Sequence, residues 1–157
     1  MSTIGFDTSN YTTSTAWTDG KTDINVRQIL YVKDGERGIR QSDGVFQHMK
    51  LMPVMYEKLS EQIDFKDVKA VGVSTRPRCV EGSYMPVFLA GEGYAKVVAD
   101  TLGVPLYEFS HQDGHIMAGI YSSGSFELLE NDFISVHLSG GTTEILKSRY
   151  NGFNFDN

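Results

Sequence analysis

At 157 residues and 17.5 kDa, with 40% apolar residues, the chain has material for one domain with a sizeable core. A net charge of −6 and a pI near 5.1 argue against a dedicated nucleic-acid-binding domain, which would show a basic patch. There is no apolar run of about 18 residues to span a membrane, and the N-terminus lacks the regions of a signal peptide. Cys79 stands alone, so no internal disulfide is available and a reducing cytoplasmic setting is expected.

In chain order, Thr3 to Asp7 reads as a short buried strand running into the polar turn Thr8-Ser9-Asn10. Thr12 to Thr18 is β-branched and aromatic and is followed by Asp19-Gly20, a hairpin signal. Ile24 to Val32 makes a third strand, so three antiparallel strands open the chain. Lys33 to Ser42 is charged and reads as a loop. Gln47 to Gln62 presents Met49, Met52, Tyr56 and Leu59 on one helical face, with Pro53 marking either a kink or a later helix start.

Val68 to Ser74 has the continuous apolar character of a buried parallel strand. Val87 to Leu102 is a helix ending at Gly103, with Pro105 just beyond. Leu106 to Phe109 is a short strand, and a further helix follows it. Phe133 to Leu138 and Glu144 to Lys147 are strands flanking a Ser-Gly-Gly-Thr-Thr turn. The order β-β-β-α-β-α-β-α predicts an α/β fold, an actin-like (ribonuclease-H-like) lobe with a mixed sheet and helices on both faces. Ligands of such sheets gather beyond the carboxyl ends of the strands, where Asp7, Thr75-Arg76, His111 and Ser139 fall.

The chain has four histidines, and two of them, His111 and His115, are four apart. On a helix that spacing brings two side chains to one face, about 5–6 Å apart at Cβ, close enough for two imidazoles to grip one divalent cation. Spacing alone also fits two surface or capping histidines. A zincin-type protease is disfavoured, because Gln112, Asp113 and Gly114 supply no glutamate between the pair. Neutral imidazole suits iron or zinc alike, and catalytic zinc keeps about three protein ligands, so a third has to come from elsewhere.

Ser139-Gly140-Gly141-Thr142, entered from Leu138, is either a plain hairpin turn or a nest of backbone N–H groups for a phosphate or carboxylate oxygen. Asp7-Thr8-Ser9 is either an Asx-type turn or a phosphate loop. Arg76 and Arg78 flank the stiff Pro77 and are either solvated or candidate anion contacts. Cys79 reads as a small buried residue rather than a reactive thiol. His137 is expected to be a satisfied strand residue, and His48 a structural or supporting one.

Several of these segments together resemble the N-terminal half of the TsaD proteins: Ile4-Gly-Phe-Asp-Thr-Ser9, Gln47-His-Met-Lys-Leu-Met-Pro53, Val71-Gly-Val-Ser-Thr-Arg76, His111-Gln-Asp-Gly-His115 and Ser139-Gly-Gly-Thr-Thr143. The resemblance implies transfer of a threonylcarbamoyl group from threonylcarbamoyl-adenylate to N6 of adenosine in tRNA. It implies one divalent metal, iron or zinc, on His111 and His115, and ATP or the adenylate held at Leu138 to Thr142. tRNA, TsaB-like proteins and other members of the biosynthetic complex are the implied partners, with self-association also expected.

The chain departs from that family in three respects. It stops near Asn157, where members continue with an aspartate ligand and much of the nucleotide pocket. A Gly-Pro-Gly loop is replaced by Arg76-Pro-Arg78, and Ser-Gly-Gly-His-Thr reads Ser139-Gly-Gly-Thr-Thr143. Residues 1–149 are therefore expected to form an N-terminal lobe and 150–157 the start of a second, with the lone chain inactive. A non-catalytic TsaB-like dimerisation partner and an actin-like-fold ATPase or kinase are the alternatives.

Overall fold

The computed structural model describes residues 1–138 and 143–156. Strand β1 (Ser2–Asp7) pairs antiparallel with β2 (Thr12–Thr18), and β2 with β3 (Asp23–Ile29), as the opening meander predicts. The Asp19-Gly20 signal closes that second turn. Asp19 accepts from the backbone N–H of Lys21 and Thr22 at 2.8 and 2.7 Å, and Gly20 takes the positive φ of 84° that its missing Cβ permits.

Strand β4 (Val68–Arg76) lies parallel to β1, and β5 (Leu106–Ser110) parallel to β4. The result is one five-stranded mixed sheet in the order β3-β2-β1-β4-β5. Its parallel strands all point their carboxyl ends the same way, which carries Asp7, Arg76 and Ser110 to one edge of the sheet.

Helices α1 (Gln41–Ser60) and α2 (Phe88–Leu102) supply the main core. Met52 and Leu59 of α1 and Ala95 and Ala99 of α2 meet Ile4 and Phe6 of β1 and Val68, Val71 and Val73 of β4. Helix α1 starts six residues before the predicted Gln47 and runs straight through Pro53. Proline at that place removes the N–H that would bond the Met49 carbonyl. The Tyr94 hydroxyl of α2 donates to that carbonyl at 3.0 Å, so the helix continues without an orphaned acceptor. Strand β3 in turn ends at Ile29, short of the predicted Val32, because the Gln47 amide pairs with both backbone groups of Tyr31 at 2.8 and 2.9 Å.

Beyond β5 come α3 (His111–Ser123), a short 3-10 turn and a separate antiparallel sheet of β6 (Phe133–Leu138), β7 (Thr143–Tyr150) and β8 (Phe155–Asp156). A second apolar cluster of Ile116, Ile120 and Phe155, with Leu128 and Leu146, joins α3 to that sheet. The break between sheets falls between β5 and β6, whereas the lobe boundary expected at 149–150 lies inside β7. Ile134, Val136 and Leu138 of β6 and Ile145 of β7 leave the outer face of the hairpin apolar and exposed. Among the described residues no helix is long and apolar enough to cross a membrane.

His48 sits fully buried on the inner face of α1, with its Nδ1 2.8 Å from the buried Thr13 hydroxyl and its Nε2 without a partner. Burial pushes its pKa down to about 4, only partly opposed by the charge of Asp7. The folded chain therefore keeps His48 neutral while the unfolded chain protonates it below about 6.5. Stability is full above that value and falls, by about 3 kcal/mol in all, as the pH drops toward 4. Urea unfolding followed from pH 7 to pH 4 is expected to show this slope, and His48→Gln to flatten it; an equal slope in both proteins would contradict the assignment.

Candidate metal centre

The helix that carries the histidine pair begins at His111 itself. Ser110 is its N-cap: its hydroxyl accepts from the Asp113 N–H at 3.0 Å, and the Asp113 carboxylate accepts from the Ser110 N–H at 3.1 Å. This reciprocal box satisfies two otherwise orphaned donors and fixes where the helix starts. Fixing the start also fixes the direction in which His111 and His115 project.

The two rings meet edge to face with centroids 4.3 Å apart, and their Nε2 atoms are 2.9 Å from each other. The outer nitrogen of His111, Nδ1, lies 2.8 Å from Asp7 Oδ2 at the end of β1. Burial opposes ionisation of Asp7 and is the largest single influence. The bond and charge of His111, together with Ser74 and the Ser9 N–H, outweigh it and hold the carboxyl down at about 2. Asp7 is thus an ionised acceptor at neutral pH, which places the His111 proton on Nδ1 and leaves Nε2 bare. His115 Nε2–H then donates into that lone pair. Burial, with the neighbouring His111 and His137, pushes the His115 pKa below its ordinary value, so its ring stays neutral as a metal ligand must.

Two imidazoles on one cation, each at about 2.1 Å in a tetrahedral shell, hold their nitrogens about 3.4 Å apart. The observed 2.9 Å needs the rings to part by only about half an ångström. A carboxylate behind the outer nitrogen of one ring is the orienting partner that metal-binding histidines usually have. The donor set fits a divalent cation. Among the described residues, however, no three His, Cys, Asp or Glu side chains stand close enough together, as they lie, to hold an ion.

Asp7, Thr8 and Ser9 divide their roles. The Ser9 N–H donates to Asp7 Oδ1 at 2.8 Å, the Asx-type turn of the sequence expectation. Thr8 is fully buried, donating to the Val87 carbonyl at 2.8 Å and accepting from the Gly91 N–H at 3.1 Å. Its hydroxyl serves the joint between β1 and α2, not the cleft. A Cβ on Gly91 would stand 2.8 Å from that oxygen, which is why the helix has a glycine there.

Arg76 turns to the Thr75 hydroxyl at 3.1 Å and to Cys79 Sγ at 3.8 Å, and Cys79 is exposed rather than buried as expected. Arg78 pairs with Glu144 of β7 at 2.8 Å. Its loop is tied to the histidine helix, the Gln112 N–H donating to the Pro77 carbonyl at 3.0 Å. Leu138 ends β6 with 73% of its surface exposed, while Ser139, Gly140, Gly141 and Thr142 lie outside the described residues.

One residue beside the pair, Glu144, was not singled out in sequence, and a second, His137, was read as structural. Glu144 accepts from Gln112 Nε2 at 2.9 Å as well as from Arg78, and faces His137 across the β6–β7 hairpin. His137, expected to be satisfied in its strand, has a buried Nδ1 without a hydrogen-bond partner and a ring 5.2 Å from that of His115. Pairing the hairpin outward from its Gly-Gly turn would have set these two residues opposite each other. Beside them a cavity of about 240 Å³ runs between α3 and β6, lined by His115, Ile116, Ile120, Leu128, Phe133 and His137 among others.

Comparison with known proteins finds relatives in one family. The TsaD family pattern, described as tRNA N6-adenosine threonylcarbamoyltransferase, matches residues 35–155. The protein of that name from Christiangramia forsetii is 33% identical over 98 residues, 62% of this chain and 27% of the relative. The one from Pyrobaculum calidifontis is 28% identical over 144 residues, 90% of this chain and 40% of the relative. The chain thus spans well under half the length of these curated relatives. Among solved structures, YeaZ from Pseudomonas aeruginosa superposes with a TM-score of 0.54 at 13% identity, over 94% of this chain and 65% of that one. That likeness shows a shared fold.

The proton assignment is directly measurable. Long-range 1H–15N NMR on the metal-free chain is expected to find the His111 proton on Nδ1 and the His115 proton on Nε2, and Asp7→Asn to disturb the first. A His111 ring protonated on Nε2 would contradict it.

Proposed function

The chain belongs to the TsaD family of tRNA N6-adenosine threonylcarbamoyltransferases, and on that premise we propose that it forms the metal-binding part of an enzyme transferring a threonylcarbamoyl group from its adenylate to N6 of an adenosine in tRNA. The observation that carries the proposal is the facing pair of Nε2 atoms, 2.9 Å apart, with an ionised carboxylate behind one of them. Iron or zinc is the cation that suits this donor set. When bound, it supplies a Lewis acid that polarises a carbonyl.

The chain's own residues do the positioning. Asp7 keeps the His111 Nε2 lone pair directed at the site. His115 moves its ring proton from Nε2 to Nδ1 to offer its own. The turn from Leu138 through Ser139, Gly140, Gly141 and Thr142 is the proposed cradle for the phosphate end of the adenylate or of ATP, through backbone N–H groups and hydroxyls. Arg78, held by Glu144, stands ready to exchange that carboxylate for an anionic group of the substrate.

The transfer, the tRNA and partners such as TsaB-like proteins belong to this proposal, as do a cytoplasmic setting and self-association. The chain alone is expected to bind the cation and to leave tRNA unmodified. Against a purely non-catalytic partner stands the oriented pair itself, since two imidazoles and a carboxylate have no packing reason to converge half-exposed at a sheet edge.

Elemental analysis of the purified chain is expected to find iron or zinc, and His111→Ala to lose it while the far-ultraviolet spectrum is kept. A folded chain that carries no cation would overturn the proposal, as would tRNA fully modified by the chain alone.

A further inference from the structure

We propose that the free edge of β6 pairs with the same edge of a second copy of this chain, antiparallel and about a two-fold axis, in the groove that α3 leaves beside it. The inference deepens the self-association included above by giving it a surface and a register, and it does not depend on the cation.

The first argument is the shape of the groove. One wall of the cavity between α3 and β6 is formed by every residue from Phe133 to His137. A sheet face offers alternate residues only, so a wall of consecutive ones is the edge of the strand, with its unpaired N–H and C=O groups. Strand β6 has β7 on one side and, among the described residues, no strand on the other. The opposite wall is the helical stripe Gln112, His115, Ile116, Gly119, Ile120 and Ser123. That stripe is about 16 Å long and the strand edge about 13 Å. The two walls match along the length of one added strand.

The second argument is Gly119. Glycine weakens the interior of a helix, and a Cβ at this position of α3 would meet nothing within 4 Å. Packing inside the chain gives no reason for the missing side chain. The close approach of a further backbone across the groove gives one.

The third argument selects the occupant. No Asp, Glu, Lys or Arg lines the groove, so it accepts an uncharged strand. Exposed edges are usually protected by charge or by proline. Among the described residues the other edge strands follow that rule: β3 carries Asp23 and Arg27, β5 Glu108 and β8 Asp156. The run from Phe133 to Leu138 has no carboxylate, ammonium, guanidinium or proline. Strand β6 is thus itself the kind of segment that its groove accepts. A two-fold axis through Ser135 sets Ile134 opposite Val136 of the second copy on the outer face. It sets Phe133 opposite His137 on the inner one, so aliphatic groups meet aliphatic groups and rings meet rings.

Sedimentation equilibrium of the purified chain tests the pairing, with a chelator present so that no metal ion bridges two copies. The mass is expected to rise with concentration from 17.5 kDa toward twice that value. Gly119→Leu fills the groove from the helix side, leaves β6 untouched and favours the helix, and should weaken association at least about tenfold. Val136→Lys should weaken it comparably by placing a charge on the edge. Amide hydrogen exchange on the wild type needs no variant: alternate amides between Phe133 and His137 should slow as the concentration rises.

A chain that stays monomeric at high concentration would overturn the proposal. So would a Gly119→Leu chain that associates as strongly as the wild type, since its contact would then lie on the apolar outer face. A dimer whose β6 amides exchange at the monomer's rate contradicts the pairing as well. None of these results bears on the histidine pair, whose cation is read separately by elemental analysis.

Discussion

The site depends on one hydrogen bond, from His111 Nδ1 to Asp7 at 2.8 Å. It joins the end of the first strand to the first residue of α3, 104 positions later. Without it the histidine helix would still be placed by its cap, by the bonds of Gln112 to Pro77 and Glu144 and by apolar packing, but the imidazole of His111 would be free to take either tautomer. With it, one nitrogen of each histidine is committed and the two Nε2 atoms meet. The bond in turn needs Asp7 to be ionised, and the surrounding donors overcome the burial that opposes this. A carboxylate and an imidazole at the carboxyl ends of β1 and β5 meet only because β4 lies between those strands, parallel to both.

Much of this was legible in the sequence because it rests on local chemistry. The Asp19-Gly20 hairpin and the Gly103 helix end with φ near 66° each follow from what those residue types can do with their own backbone. The succession of strands and helices along the chain followed from residue patterns, and the histidine pair from helical spacing. What escaped was decided at long range. Pro53 was read as a helix problem because its remedy, the Tyr94 hydroxyl, comes from 41 residues further along the chain. Thr8 looked like part of a phosphate loop, yet the close approach of Gly91 claims its hydroxyl.

The arginine loop shows the same limit from the other side. Arg76 and Arg78 stand out in sequence as replacements for a glycine-rich segment, and both were candidates for anion contact. In the fold Arg78 meets Glu144, which also holds Gln112 and faces His137. A network that links a loop, the histidine helix and the second sheet is invisible until all three are placed. It gives the loop a reason to be charged: the Pro77 backbone bonds the start of α3, and the neighbouring guanidinium secures β7 against it. The two sheets are thus joined at the proposed metal centre as well as through the apolar cluster around Phe155.

The central claim is that the Nε2 atoms of His111 and His115 share one cation. Anomalous diffraction at the zinc edge, from crystals of the chain soaked in zinc, tests it most directly. The account predicts a single strong peak about 2.1 Å from both atoms, with Asp7 still on the outer nitrogen of His111. Rings turned away from each other, with no density between them, would contradict it.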